Sequence, residues 1–392
     1  FNHLSCRELA SSLCGGVPHP LQPLLIPSQP LNPRRKRRDA AIRVSPPLDT
    51  PAKDEKENTK NMVFPALLAL AASLVWKSIL GYGSLIFILS VPAVYQEWKI
   101  WAASPTIPSL SVLGCVKVYL FNVIWMTSTY VGALLLVPKW VLGGFGGAVE
   151  LEANTLVERI TAFICVSLFV GPVVVRGGEN LPPDSGWGID EDGNGRAAPV
   201  YIANHSSQID VGAVYYLMRR WKWVAKESVL FLPGVGQCMF LGRHVFIRRS
   251  GKNKSSIKVL YEKSNTAVRS GIAMFLFPQG TRRMAQRLPF KDGAFNIACE
   301  NGCPVVPVSV EIPPGAFNGW YPLSLLWGAK QAPVVLTIHE PIEDTKGADK
   351  EGLKKRCYDT IYSVLPNYEE EKEGEKKTES LGSEKMEDKK ER

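Results

Sequence analysis

Two stretches of membrane length set the frame for this chain. Val118–Val137 carries no charged residue, and Ser78–Gln96 carries none before Glu97. A backbone that crosses hydrocarbon must satisfy its own polar groups, and a helix of about 20 apolar residues does so. Both stretches are therefore expected as transmembrane helices. Val63–Trp76 is a further apolar run, closed by Lys77, and Ile160–Val175 is a shorter one that suits a re-entrant, interfacial or core element. Trp98, Trp101, Trp125 and Trp140 are expected at or near membrane boundaries, where indole rings collect. A buried helical hairpin in a large soluble protein is the other reading of the pattern. Lys and Arg are too sparse in the connections to set an orientation.

The two ends of the chain are of another kind. Residues 1–61 are rich in Pro and Ser, carry the cationic run Arg34-Arg35-Lys36-Arg37-Arg38 and hold few acids before Asp49. They are expected as a disordered or targeting leader. No methionine precedes Met62, so the start is expected either before Phe1 or at Met62 itself. Beyond Pro366 the tail holds ten acidic and seven basic residues and reads as a solvated, disordered end after a C-terminal helix.

The chain as a whole carries a net charge of +9, which favours an anionic partner. No basic module interleaved with aromatics accompanies that charge, so nucleic acid is not expected. Anionic lipid or a phosphorylated substrate is the better class. The eight cysteines are scattered without a Cys-x-x-Cys pair, which argues against a zinc site or disulfide framework. No metal and no cofactor is expected.

Between these parts the chain changes to short alternating segments. Pro199–Ala203, Trp221–Ala225, Val245–Ile247, Ile272–Phe277, Val305–Glu311 and Val334–His339 read as strands. Val211–Arg219, Ile257–Ser270 and Ala294–Asn301 read as helices. Such alternation predicts an α/β domain, a mostly parallel sheet flanked by helices, preceded by N-terminal membrane helices. The expected organisation is a leader over 1–61, a membrane-embedded helical region over 62–175, an α/β domain over 176–345, and a C-terminal helix with a charged tail over 346–392.

Chemistry concentrates where strands end. After Pro199–Ala203 comes Asn204-His205-Ser206-Ser207-Gln208-Ile209-Asp210. Five helical residues turn by about 140°, so His205 and Asp210 would not share one helix face. They meet if His205 sits in the turn and Asp210 in the first helical turn, with Ser206 or Ser207 as N-cap. The carboxylate would then hold one imidazole nitrogen and leave the other to take a proton. Two further strands end in paired arginines, Phe246-Ile247-Arg248-Arg249 and Phe277-Pro278-Gln279-Gly280-Thr281-Arg282-Arg283. Arginine forks match phosphate oxygens in geometry and charge. In open α/β sheets, ligands sit beyond the carboxyl ends of strands, so His205, Arg249 and Arg282 are expected around one pocket.

In this order the blocks resemble the four motifs of the glycerolipid acyltransferase family. Asn204, His205 and Asp210 match the first block, and Phe246, Ile247 and Arg249 the second. Phe277, Pro278, Gly280, Thr281 and Arg282 match the third, and Pro307 in a valine-rich strand matches the fourth. The resemblance runs from roughly 176 to 315 and is closest to the enzymes that acylate 1-acylglycerol 3-phosphate. It implies acyl transfer from acyl-CoA, a co-substrate, to the free hydroxyl of lysophosphatidic acid. His205 would be the general base and Asp210 its support. Asn204, Arg249, Gly280, Thr281, Arg282 and Lys291 would bind substrate, and oxyanion donors would come from amides near Gly280. The implied partners are the lipid bilayer, a lysophospholipid acceptor and an acyl-CoA donor. The endoplasmic reticulum membrane is the implied location, with the plastid envelope as the alternative.

Gln279 stands where the family usually has glutamate, which leaves other acceptors open, such as glycerol 3-phosphate or another lysophospholipid. A membrane lipid-binding protein with a weakened catalytic block is the reading from a different class. A histidine hydrolase ranks last, because the chain has no Gly-x-Ser-x-Gly elbow. His244 reads as a structural residue rather than a second base.

Overall fold

The computed structural model describes residues 79–367 apart from 105, 144–147, 191, 249–253, 285 and 322–331. The leader, the run Val63–Trp76, Arg249 and the tail beyond 367 lie outside the described residues.

Three long helices come first: α1 (Ile79–Ala102), α2 (Val112–Gly143) and α3 (Ala148–Phe169). α2 is apolar on every side. Val118, Phe121 and Met126 are buried, while Val116, Leu120, Val131 and Leu135 are exposed. Among the described residues one stretch, Val112–Pro138, is long and apolar enough to cross a membrane, and only 28% of its window is buried. The core helix of a soluble protein would be mostly covered. The second expected span, Ser78–Gln96, falls on α1 without meeting that test, and α1 continues past it to bury Glu97 completely.

The run Ile160–Val175 divides in two. Helix persists to Phe169, and then Val173–Arg176 forms β1, because three successive valines favour extended backbone. The sheet thus begins before residue 176, the expected boundary of the α/β domain.

A seven-stranded sheet follows. Its strands are β1, β4 (Val200–Ala203), β5 (Lys222–Lys226), β6 (Val245–Ile247), β7 (Met274–Leu276), β8 (Val305–Glu311) and β9 (Val334–Ile338), in the order β1-β9-β8-β4-β7-β5-β6. Strands β8, β4, β7, β5 and β6 run parallel, while β1 and β9 pair with each other and run against β8. A small hairpin, β2 (Gly188–Ile189) and β3 (Gly195–Arg196), sits in the Gly/Asp-rich loop. The helices of this part are α4 (Ile209–Ala213), α5 (Val235–Leu241), α6 (Lys254–Arg269), α7 (Gly293–Asn301) and α8 (Lys350–Tyr362). Asp349 caps α8 by accepting from the Glu351 and Gly352 amides.

Side chains alternate across a strand, so one sheet can meet two cores. Tyr201, Ala203, Phe275, Val306 and Val308 pack with Trp101, Phe121 and Phe169 of α1, α2 and α3. Val200, Ile202, Met274 and Leu276 pack on the other face with Leu260, Phe295 and Ile361 of α6, α7 and α8. Burial on both faces is why these strands read as unbroken apolar runs. The N-terminal helices therefore form one wall of the sheet.

Candidate active site

Adjacent strands β4 and β7 end together, and the turns that follow them interlock. The His205 amide donates to Gln279 Oε1 at 2.5 Å, and the His205 carbonyl accepts from the Arg283 amide at 2.9 Å. Gln279 is buried and uses its other end as a donor to the Gln286 carbonyl at 3.3 Å. A glutamate could take the first bond but would set its second oxygen against that carbonyl. Gln279 does not line the main cavity, and both ends of its amide are spent on backbone groups.

His205 Nδ1 donates to Asp210 Oδ2 at 2.9 Å. The same oxygen accepts from the amides of Ser206 at 2.5 Å and Ser207 at 3.1 Å, which fixes a wholly buried carboxylate. Gln208, already helical at φ −68° and ψ −18°, precedes α4, and Ser207 Oγ accepts from the Ile209 amide at 3.2 Å, the bond expected of a serine N-cap. The imidazole stacks on Phe277, with ring centroids 4.0 Å apart and planes 11° apart. Burial pushes its pKa below the ordinary 6.5, with Asp210 pulling the other way. A neutral ring with Nδ1 engaged leaves Nε2 as the proton acceptor.

The left-handed backbone of Gly280, φ 70°, turns the chain after β7. A Cβ there would lie 2.6 Å from Lys291 Nζ, so the lysine is seated on the glycine. His205, Gly280, Arg282 and Lys291 all line one cavity of about 1170 Å³. Its walls are largely apolar and come from α1 (Leu89), α2 (Phe121, Trp125, Met126), β5 (Trp223) and α6 (Leu260), among others.

Other expected residues have different places. Asn204 is buried, bonded through its amide to both Val310 backbone groups at 2.8 Å, and does not line this cavity. Thr281 is exposed and does not line it either. Arg249 lies outside the described residues; its neighbour Arg248 lines the cavity and pairs with Glu227. Among the amides of the turn near Gly280, the region expected to supply oxyanion donors, that of Gly280 itself donates to the Phe277 carbonyl at 2.9 Å.

Glu97 is the residue that sequence reasoning missed. It lies on α1 and is fully buried, with Oε2 2.8 Å from Arg282 Nη1. Its Oε1 accepts from Ser207 Oγ, from the Gln208 amide at 3.2 Å and from Trp101 Nε1 at 3.3 Å. The available signal was a lone carboxylate closing an apolar run. A second buried network lies along the cavity wall. Glu158 of α3 accepts from Tyr215 Oη, and it lies 3.1 Å from His244 Nε2, whose Nδ1 accepts from the Trp223 amide at 2.8 Å. Both nitrogens of His244 are thus engaged. Burial, and then Glu158, push the Tyr215 phenol up, so it stays a hydrogen-bond donor.

A family model described as Acyltransferase matches residues 172–311, from the residue before β1 to the last residue of β8. The chain carries an acyltransferase domain. It is 30% identical over 195 residues to a 1-acyl-sn-glycerol-3-phosphate acyltransferase of Chlamydomonas reinhardtii, covering 50% of this chain and 53% of that one. It is 32% identical over 137 residues to a chloroplastic 1-acyl-sn-glycerol-3-phosphate acyltransferase of Brassica napus, covering 35% and 36% respectively. The alignments thus span about half, or less, of those relatives' length. The crystal structure of the 1-acyl-sn-glycerophosphate (LPA) acyltransferase PlsC from Thermotoga maritima shares 25% identity at a TM-score of 0.40, over 64% of this chain and 96% of that one. All the turns that carry His205, Asp210, Gly280 and Arg282 fall inside the acyltransferase domain, whereas Glu97 falls outside it.

Proposed function

We propose that this protein transfers an acyl group from acyl-CoA to the free hydroxyl of lysophosphatidic acid, giving phosphatidic acid. One observation carries the reading: a histidine base, an arginine and a lysine open into the same large, mostly apolar cavity. The cations suit a phosphate, and the apolar volume suits acyl chains.

In this mechanism His205 Nε2 takes the hydroxyl proton as the acceptor oxygen attacks the thioester carbonyl. The tetrahedral intermediate collapses, the carbon–sulfur bond breaks, and the imidazolium returns the proton to the leaving CoA sulfur. Asp210 holds the Nδ1–H tautomer and steadies the imidazolium. General base catalysis of this kind is worth about 10²–10⁴-fold. Arg282 and Lys291 hold the acceptor's phosphate. No cofactor takes part. We place α1 and α2 in the bilayer of the endoplasmic reticulum or plastid envelope, so that the cavity exchanges lipid at the interface.

The test is an acceptor panel on membranes bearing the protein, with one labelled acyl-CoA and lysophosphatidic acid, glycerol 3-phosphate, lysophosphatidylcholine or monoacylglycerol. Label should enter phosphatidic acid, and His205→Ala should lose that product while staying in the membrane fraction. Preference for another acceptor, or retained turnover in His205→Ala, would refute the reading.

A further inference from the structure

We infer that Glu97 of α1 is a positioning residue for the acceptor site, its carboxylate clamping the turn behind His205 to Arg282. The inference rests on the lysophosphatidic acid reading above. A carboxylate with no solvent exposure is costly unless it is paired and hydrogen-bonded. Glu97 meets that condition chiefly with groups from outside its own helix. Ser207 Oγ and the Gln208 amide come from the turn after β4, and Arg282 Nη1 comes from the turn after β7. Trp101, one turn along α1, supplies the remaining donor.

The two oxygens divide the task. Oε1 collects the donors of the histidine turn and of Trp101, while Oε2 faces the guanidinium. The fork of Arg282 is thereby held beside the cavity that it lines. Gln279 is a neutral amide bonded to backbone, and the negative charge opposite Arg282 comes from the N-terminal helix. Glu97 touches the machinery and not the substrate, so its effect runs through Arg282.

That division makes Glu97→Gln a selective probe. The amide oxygen satisfies the three donors at Oε1, which turns the NH₂ toward Arg282 and removes the clamp on that side alone. With lysophosphatidic acid the variant should raise KM on the order of tenfold, while monoacylglycerol, which has no phosphate, should be turned over much as before. Arg282→Gln should show the same acceptor-dependent loss. The double variant should be no worse than Arg282→Gln alone, because both changes break one interaction. Equal losses with the two acceptors, or losses that multiply in the double variant, would overturn the clamp. Where monoacylglycerol turnover is below detection, the double-variant comparison on lysophosphatidic acid decides alone. Thermal unfolding in detergent guards against misfolding. Glu97→Asp, which keeps the buried charge but shortens its reach, should give a smaller loss of the same kind. Wild-type membranes that prefer another acceptor would sink the functional reading. An unchanged acceptor ratio in Glu97→Gln, beside wild-type use of lysophosphatidic acid, would sink the clamp alone.

Discussion

In the proposed mechanism His205 works as a base only while its ring is neutral, and its surroundings favour that state. Burial lowers its pKa, the Asp210 hydrogen bond and charge raise it, and Arg282 lowers it further. A base with a lowered pKa is already unprotonated at a more acidic pH. The acid limb of kcat/KM should therefore fall below the ordinary histidine value of 6.5. Asp210→Asn removes the largest raising influence, so the limb should move further toward acid even as the rate drops. A pH–rate profile checks both, and a limb at or above 6.5 would contradict the geometry. Gly280 makes the second residue-scale case. Alanine there combines a left-handed φ with a Cβ pressed on Lys291. The strain costs about 1–2 kcal/mol, and the end of the lysine side chain must shift from its present seat. Gly280→Ala should lower Tm and raise the KM for a phosphorylated acceptor in the same preparation.

At the scale of elements, Asn204 shows how a side chain can continue a strand. The β4·β8 ladder ends with Ala203 opposite Val308, and the next rung is made by the Asn204 amide on both backbone groups of Val310. The carboxamide offers the same donor and acceptor as a peptide group. Asn204→Asp keeps the acceptor but turns an oxygen toward the Val310 carbonyl. The change should cost about 1–3 kcal/mol, read as a lower thermal midpoint. Such rungs also explain what the sequence could convey. Strands β4 to β9 were legible because each is a short apolar run closed by a turn, and His205 with Asp210 because their spacing is local. The reversed direction of β9 was not, since parallel and antiparallel pairs bury the same valines. Nor was Glu97, which lies 110 residues from Ser207 and 185 from Arg282. No local pattern encodes a partner at that distance.

For the molecule as a whole, the apolar surface of α1–α3 is the dominant feature. Phe87, Ile88 and Val91 on α1, Leu120, Val131 and Leu135 on α2, and Ile160 and Leu168 on α3 are all exposed. Exposed apolar side chains in this number suit lipid or another apolar partner. If α1 and α2 lie in the bilayer as proposed, the protein should stay with the membrane pellet after alkaline carbonate washing and leave it only in detergent. Release by carbonate alone would argue against embedded helices.

The seating of Glu97 has one more consequence. The span recognised as the acyltransferase domain begins at residue 172, yet Arg282 finds its counter-ion at residue 97. The span defined by sequence likeness is therefore smaller than the set of residues that hold Arg282. A fragment excised at the family boundary would keep His205 and Asp210 and leave Arg282 without its anchor. Grafting this domain onto another membrane leader should keep tight use of a phosphorylated acceptor only where that leader brings an acid to the same place.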